Sequence, residues 1–119
     1  MKPASRNERG QRAEDLAADF LRRQGLAVEA RNVRNRYGEI DIVAREGDTL
    51  VFVEVRLRGS AAFGGAAGSI TAAKQKRLLT AANLYLSGFS RQPPCRFDAV
   101  LLDTLDIERI TWQRDILQM

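Results

Sequence analysis

Apolar residues recur at helical spacing early in the chain and alternate at strand spacing soon after. Ala13, Ala17, Phe20, Leu21 and Gln24 share one stripe at 3.6 residues per turn, with Leu16 on its margin. Arg12, Asp15, Asp19, Arg22 and Arg23 take the other side. This predicts a helix from about Glu8 to Gln24, stopped by Gly25. Glu14 falls on the flank of the stripe near Leu21, at the rim of whatever the helix covers.

A short strand is predicted over Ala27 to Arg31, then a polar loop, "NVRNRYG". Two strands follow, Glu39 to Arg45 and Thr49 to Leu57, joined by Glu46-Gly47-Asp48. Val51, Val53, Val55 and Leu57 face one way, and Leu50, Phe52, Glu54 and Arg56 the other. Both faces begin apolar, which predicts a central strand covered on both sides. "RGSAAFGGAAGS", 58 to 69, reads as a flexible loop. A second helix is predicted from Thr71 to Leu86, with Gln75, Leu78, Leu79, Ala82, Tyr85 and Leu86 inward. Strands over Arg96 to Leu102 and, more weakly, Ile107 to Trp112 complete the order. The expectation is a single α/β domain over 1–119, its core about 8–112, with a mixed central β-sheet flanked by helices.

The totals narrow the function. A chain of 119 residues has room for one modest core, and 45% hydrophobic with 29% charged residues is a globular balance. No apolar run approaches the ~18 residues of a membrane span, and the polar start lacks a secretory pattern. The expected location is cytoplasmic, with no membrane partner. There is one cysteine, Cys95, and no histidine. That excludes an intramolecular disulfide, the usual Cys/His zinc sites and every imidazole-based mechanism. Catalysis would rest on carboxylates, Lys, Arg, hydroxyls or a metal held by oxygen. The net charge of +4 mildly favours an anionic partner such as nucleic acid. Of 19 basic residues 16 are Arg, a bias that a GC-rich coding sequence would also produce.

The candidate chemistry lies in "GEIDIVAREGDTLVFVEVRLR", 38 to 58. Asp41 and Glu54 sit among Ile, Val and Phe, and a hairpin closed near Gly47 sets them nearly opposite, with a one-residue bulge to align them. Facing carboxylates repel, and a buried unpaired one is costly. A cation must answer them. The structural alternative is an ion pair of Asp41 with Arg56 or another arginine. The functional one is a Mg²⁺ or Mn²⁺ site, with carboxylates and a carbonyl as ligands and room for a phosphate.

The segments "RGQRAEDLAADFLRRQG", "RNVRNRYGEIDIVAREGDTLVFVEVRLR", "FGGAAGSITAAKQKRLLTAANLYL" and "RFDAVLL" together resemble the YraN-like family of small bacterial proteins. That family is functionally uncharacterised and belongs to the PD-(D/E)xK restriction-endonuclease-like fold, close to archaeal Holliday-junction resolvases. The resemblance covers residues 9 to 102 and implies an αβββαβ core. It also implies a metal-dependent nuclease cutting DNA or RNA, branched or single-stranded. Asp41 and Glu54 would be direct metal ligands, with the Val55 carbonyl beside them and Glu14 approaching from the helix. Gln75 would support the site, and Asp98 is read as structural, paired with Arg96.

Arg56 departs from the pattern, which has Lys there. A guanidinium stays charged and cannot act as a base, though it can stabilise transition-state charge. Three readings follow: Arg56 is a working substitute, Lys74 or Lys76 takes over, or the protein binds nucleic acid without cutting. Arg31, Arg34, Arg36, Arg58, Lys74 and Lys76 form either a phosphate track or a solvated basic face, with Tyr37 able to stack on an unpaired base. DNA is the favoured partner. A homodimer is also open, since resolvases are dimers and Ile110 and Trp112 suit pairing; internal packing explains these two equally well.

Overall fold

The computed structural model describes residues 6–57 and 71–117. The expected Gly/Ala loop and Arg58 lie outside them. Helix α1 (Arg6–Arg23) is followed by strands β1 (Ala27–Asn35), β2 (Gly38–Glu46) and β3 (Thr49–Leu57). Helix α2 (Ala72–Leu86), β4 (Cys95–Leu102), a 3₁₀ turn (Ile107–Arg109) and β5 (Ile110–Leu117) complete the order. The strands form one mixed sheet, β1-β2-β3-β4-β5. Only β3 and β4 are parallel, and α2 crosses between them. The αβββαβ arrangement is as expected. Among the described residues no helix is long and apolar enough to cross a membrane.

Helix α1 lays Ala13, Ala17, Ala18 and Leu21 on one face of the sheet, against Ile42, Ala44, Val51, Val53, Val100 and Leu102. Its end is set by Gly25, whose φ of 96° only glycine adopts without strain. There Gly25 N donates to Arg22 O and Leu26 N to Leu21 O, both at 3.0 Å, and Leu26 folds back into the same cluster. Helix α2 starts on Thr71, whose hydroxyl accepts from Lys74 N at 3.2 Å. It buries Leu78, Ala81, Ala82 and Leu86 on the opposite face, against Ile40, Val43, Leu50, Phe52 and Phe97. Strand β3 is therefore covered on both sides, as its pattern predicts.

Two element boundaries differ from expectation. Strand β1 does not stop at Arg31 but pairs on to Asn35↔Gly38. The polar "NVRN" is tolerated because β1 is an edge strand whose backbone is answered by β2. The turn is then held by Asn35, which accepts Tyr37 N at 3.0 Å and donates to Ala81 O at 3.3 Å. At the other edge, Asp106 accepts from Glu108 N and coils 107–109 into the 3₁₀ turn, so β5 begins at Ile110 and runs to Leu117. Ile110 and Trp112 pack inward on the α1 side, with the Trp112 ring edge-on to Phe20 at 5.9 Å.

The register of the central hairpin places the site. Arg45 faces Leu50 and Ile42 faces Val53, so Asp41 and Glu54 would be the next pair with no bulge. The ladder ends first. Ile40 packs with the α2 cluster and Ile42 with the α1 cluster, although strand alternation puts them on one side. On β1 the pairing passes over Asn32, whose φ is 53°, from Arg31↔Ile42 to Val33↔Ile40 in unchanged register.

Candidate functional site

Where β2 leaves β3, the Asp41 side chain replaces the missing backbone acceptor. Its Oδ2 accepts the Val55 N–H at 2.8 Å. That bond draws the carboxyl inward until it lies within hydrogen-bonding reach of Glu54. Burial, then the Glu54 charge, pushes the Asp41 pKa up to about 7; the Val55 N–H opposes them. Burial also raises Glu54, with Arg56 the main restraint. Both carboxyls are thus harder to ionise than free ones, and they titrate as a pair.

Arg56 follows Glu54 on the same face and pairs with it through Nη2. Its Nε is buried and has no hydrogen-bond partner among the described residues. An N–H donor without an acceptor in that position is costly. The alternative pairing of Asp41 with an arginine is not formed: no ion pair among the described residues includes Asp41.

Asp41, Glu54 and Arg56 open on a pocket of about 240 Å³. Gly38 and Glu39 from the start of β2 form one rim, and Lys74, Arg77 and Leu78 from the first turns of α2 form the other. A Cβ at Gly38 would lie 3.8 Å from the Arg77 Cβ, so turn and helix meet closely. One wall is thus acidic and the facing wall basic.

Several candidates lie elsewhere. Glu14 does not line the pocket; its Oε1 accepts from Arg31 Nε at 3.1 Å, and burial raises its pKa despite that bond, helped by the charges of the pocket residues Asp41 and Glu39. Arg31 is held a second time by Asp15 at 2.6 Å, so it is engaged by two acids. Gln75 is half-buried but does not line the pocket, and Lys76 is exposed outside it. Among the described residues no three acidic side chains converge into a metal-ligating group. Arg34 is exposed, 3.6 Å from Glu39. Arg36 lies over the Tyr37 ring at 4.9 Å on the exposed β1–β2 turn. Arg77 escaped notice in the sequence; its signal is the spacing Lys74, Arg77, Leu78, one stripe of α2.

Asp98 has the same backbone task as Asp41. Where the β4–β5 ladder breaks between Phe97 and Ala99, its carboxylate accepts the Asp115 N–H at 2.9 Å. It also accepts from Trp112 Nε1 and Arg96 Nε, both at 3.0 Å, so its charge is fully answered although it is wholly buried.

The model of Uncharacterised protein family UPF0102 matches residues 13–102. A UPF0102 protein of Nitrosomonas europaea is 52% identical over 112 residues, 94% of this chain and 95% of that protein. One from Cupriavidus taiwanensis is 55% identical over 109 residues, 91% of this chain and 81% of that protein. The match takes in both helices' apolar faces, the Asp41–Glu54 hairpin and β4. The chain therefore belongs to the uncharacterised protein family UPF0102, the YraN-like proteins of the sequence resemblance.

Proposed function

We propose that this protein is a metal-dependent phosphodiesterase acting on nucleic acid, in a restriction-endonuclease-like fold related to the archaeal Holliday-junction resolvases. One observation carries the reading: two aspartates replace backbone acceptors, and only one has a cation. Asp98 is paired with Arg96, whereas Asp41 faces a second carboxylate at a pocket. A purely structural carboxylate would be ion-paired as Asp98 is, instead of being set against Glu54 with its pKa raised.

The donors suit Mg²⁺ or Mn²⁺. Asp41 and Glu54 offer hard oxygens beside an open pocket, the Val55 carbonyl belongs to the same corner, and such ions need only one or two carboxylates plus waters and phosphate. Glu14 is not needed in that set. When bound, the ion would polarise the phosphate and acidify a water. The chain's own residues supply the rest. Arg56 fixes Glu54 and brings its guanidinium charge to the pocket that a phosphate would enter. It stays cationic, so it holds charge and takes no proton. Lys74 lines the pocket and would position the attacking water; Lys76 is exposed outside it. DNA is favoured over RNA by the likeness to resolvases.

A non-catalytic nucleic-acid-binding module is the second reading, favoured by the Arg56–Glu54 pair, which already occupies one carboxylate. Purified protein with Mg²⁺ or Mn²⁺, on branched, flapped, single-stranded and duplex DNA and RNA, separates the two. Cleavage lost in Asp41→Asn supports the enzyme. Salt-sensitive binding without product, restored to cleavage by Arg56→Lys, supports the module.

A further inference from the structure

We propose that the rim between the β1–β2 turn and α2 is a subsite for one unpaired nucleotide, with Tyr37 taking the base and Arg77 the phosphate beside it. The inference rests on the nucleic-acid reading of the adjoining pocket and narrows its substrate class to single-stranded segments.

Four observations lead there. Tyr37 is 40% exposed, on a turn tip where burial offers it nothing. The Arg36 guanidinium lies 4.9 Å from the ring centroid, which stiffens the ring as a platform and adds charge beside it. Gly38 follows directly and brings this turn against Arg77, 3.8 Å between a Cβ placed there and the Arg77 Cβ. Arg77 lines the pocket and forms no ion pair among the described residues, in contrast to Arg31, Arg45 and Arg96, each tied to an acid. A base-stacking ring next to an uncommitted cation matches the recurring design of single-strand sites, where every base offers a π-face and the backbone follows the charge. A pocket of about 240 Å³ has room for a phosphate with its sugar, and the paired bases of a duplex cannot turn onto Tyr37.

The test is fluorescence anisotropy with labelled oligonucleotides in Ca²⁺, with product checked on gels. The probes are single-stranded DNA, single-stranded RNA of the same sequence, duplex DNA, and a single strand carrying abasic sites. Single strands should bind at least about tenfold tighter than duplex, and the abasic strand should lose that advantage. Tyr37→Ala should weaken single-strand binding ~5- to 150-fold, with Tyr37→Phe close to wild type. Arg77→Ala should weaken single-strand binding and reduce its salt slope by about 0.7. Leu84→Ala, at the other exposed large apolar side chain, should bind as wild type. DNA and RNA compared at equal sequence show which backbone is preferred. Equal affinity for duplex, an unchanged Tyr37→Ala, or binding to none of the probes overturns the subsite. Tyr37-dependent binding without cleavage in Mg²⁺ or Mn²⁺ upholds the subsite and removes the phosphodiesterase; cleavage of duplex that ignores Tyr37 does the reverse.

Discussion

The Asp41 carboxylate accepts the Val55 N–H at 2.8 Å just past Ile42↔Val53, the last backbone pair of the central hairpin. A side chain thereby does a strand's work, and it does so beside Glu54, with the Arg56 cation paired to Glu54 instead.

The first prediction concerns pH. Burial and Glu54 raise Asp41 to about 7, whereas the unfolded chain releases that proton near the ordinary value of about 3.9. The folded state thus binds more protons between these values. Its contribution to stability is full below about pH 4 and is lost as pH rises through about 7. Metal-free urea unfolding should lose on the order of 1 kcal/mol per pH unit between pH 5 and 7. Asp41→Asn keeps an acceptor for Val55, so it should flatten that slope and be the more stable protein at pH 8. Asp15 and Glu46, lowered by Arg31 and Arg96, act in the opposite sense only at more acid pH. A flat wild-type profile would contradict the assignment.

Metal linkage supplies the second. Mg²⁺ at a hundred times its Kd should add about 2.7 kcal/mol to wild-type stability. Asp41→Asn and Glu54→Gln should abolish the effect. Glu14→Gln should keep it, because Glu14 is committed to Arg31 rather than to the pocket. Thermal shift titrations on the four proteins decide the matter, and loss in Glu14→Gln would place that carboxylate back among the ligands.

For Arg56 the expected result is a loss of rate. Arg56→Ala should lower kcat by ~10²–10³, the cost of one preorganised donor to developing negative charge. Arg56→Lys should stay within about tenfold of wild type, having kept the cation beside Glu54. Single-turnover cleavage of the best substrate measures both. An active Arg56→Ala would remove the residue from the mechanism.

Much of this architecture is legible in the chain. The two-sided burial of β3 follows from its double apolar pattern, and the facing of Asp41 and Glu54 from counting across Gly47. What escaped is what depends on distant partners. The extension of β1 to Asn35 is set by β2, and its own polar residues argue against it. Helical spacing placed Glu14 at the helix flank, but gave no sign of its partner Arg31, seventeen residues on. The reversal of facing between Ile40 and Ile42 has no local signal beyond an asparagine, Asn32, that tolerates φ of 53°.

That asparagine gives a fold-level prediction. Asn32→Val should destabilise by ~1–2 kcal/mol, while Asn32→Gly should be nearly neutral. Chemical denaturation compares them. Equal losses would mean that the side chain, not the backbone angle, matters.

Asp98 offers a control of opposite character. Asp98→Ala strands Arg96 and the indole N–H of Trp112, and should cost ~3–5 kcal/mol with Mg²⁺ affinity of the surviving folded fraction unchanged. Denaturation with and without Mg²⁺ reads both quantities, and a variant that lost the metal response would couple the two aspartates.

Because β3 and β4 run parallel, the chain must return along the sheet before β4 can begin, and α2 is that return. Chain topology thereby sets Lys74 and Arg77 of α2 across one pocket from Glu54 and Arg56 of β3. The acidic wall and the basic rim are products of a single crossover: with β3 and β4 antiparallel, no returning helix would be required there and the cations would have no element to carry them.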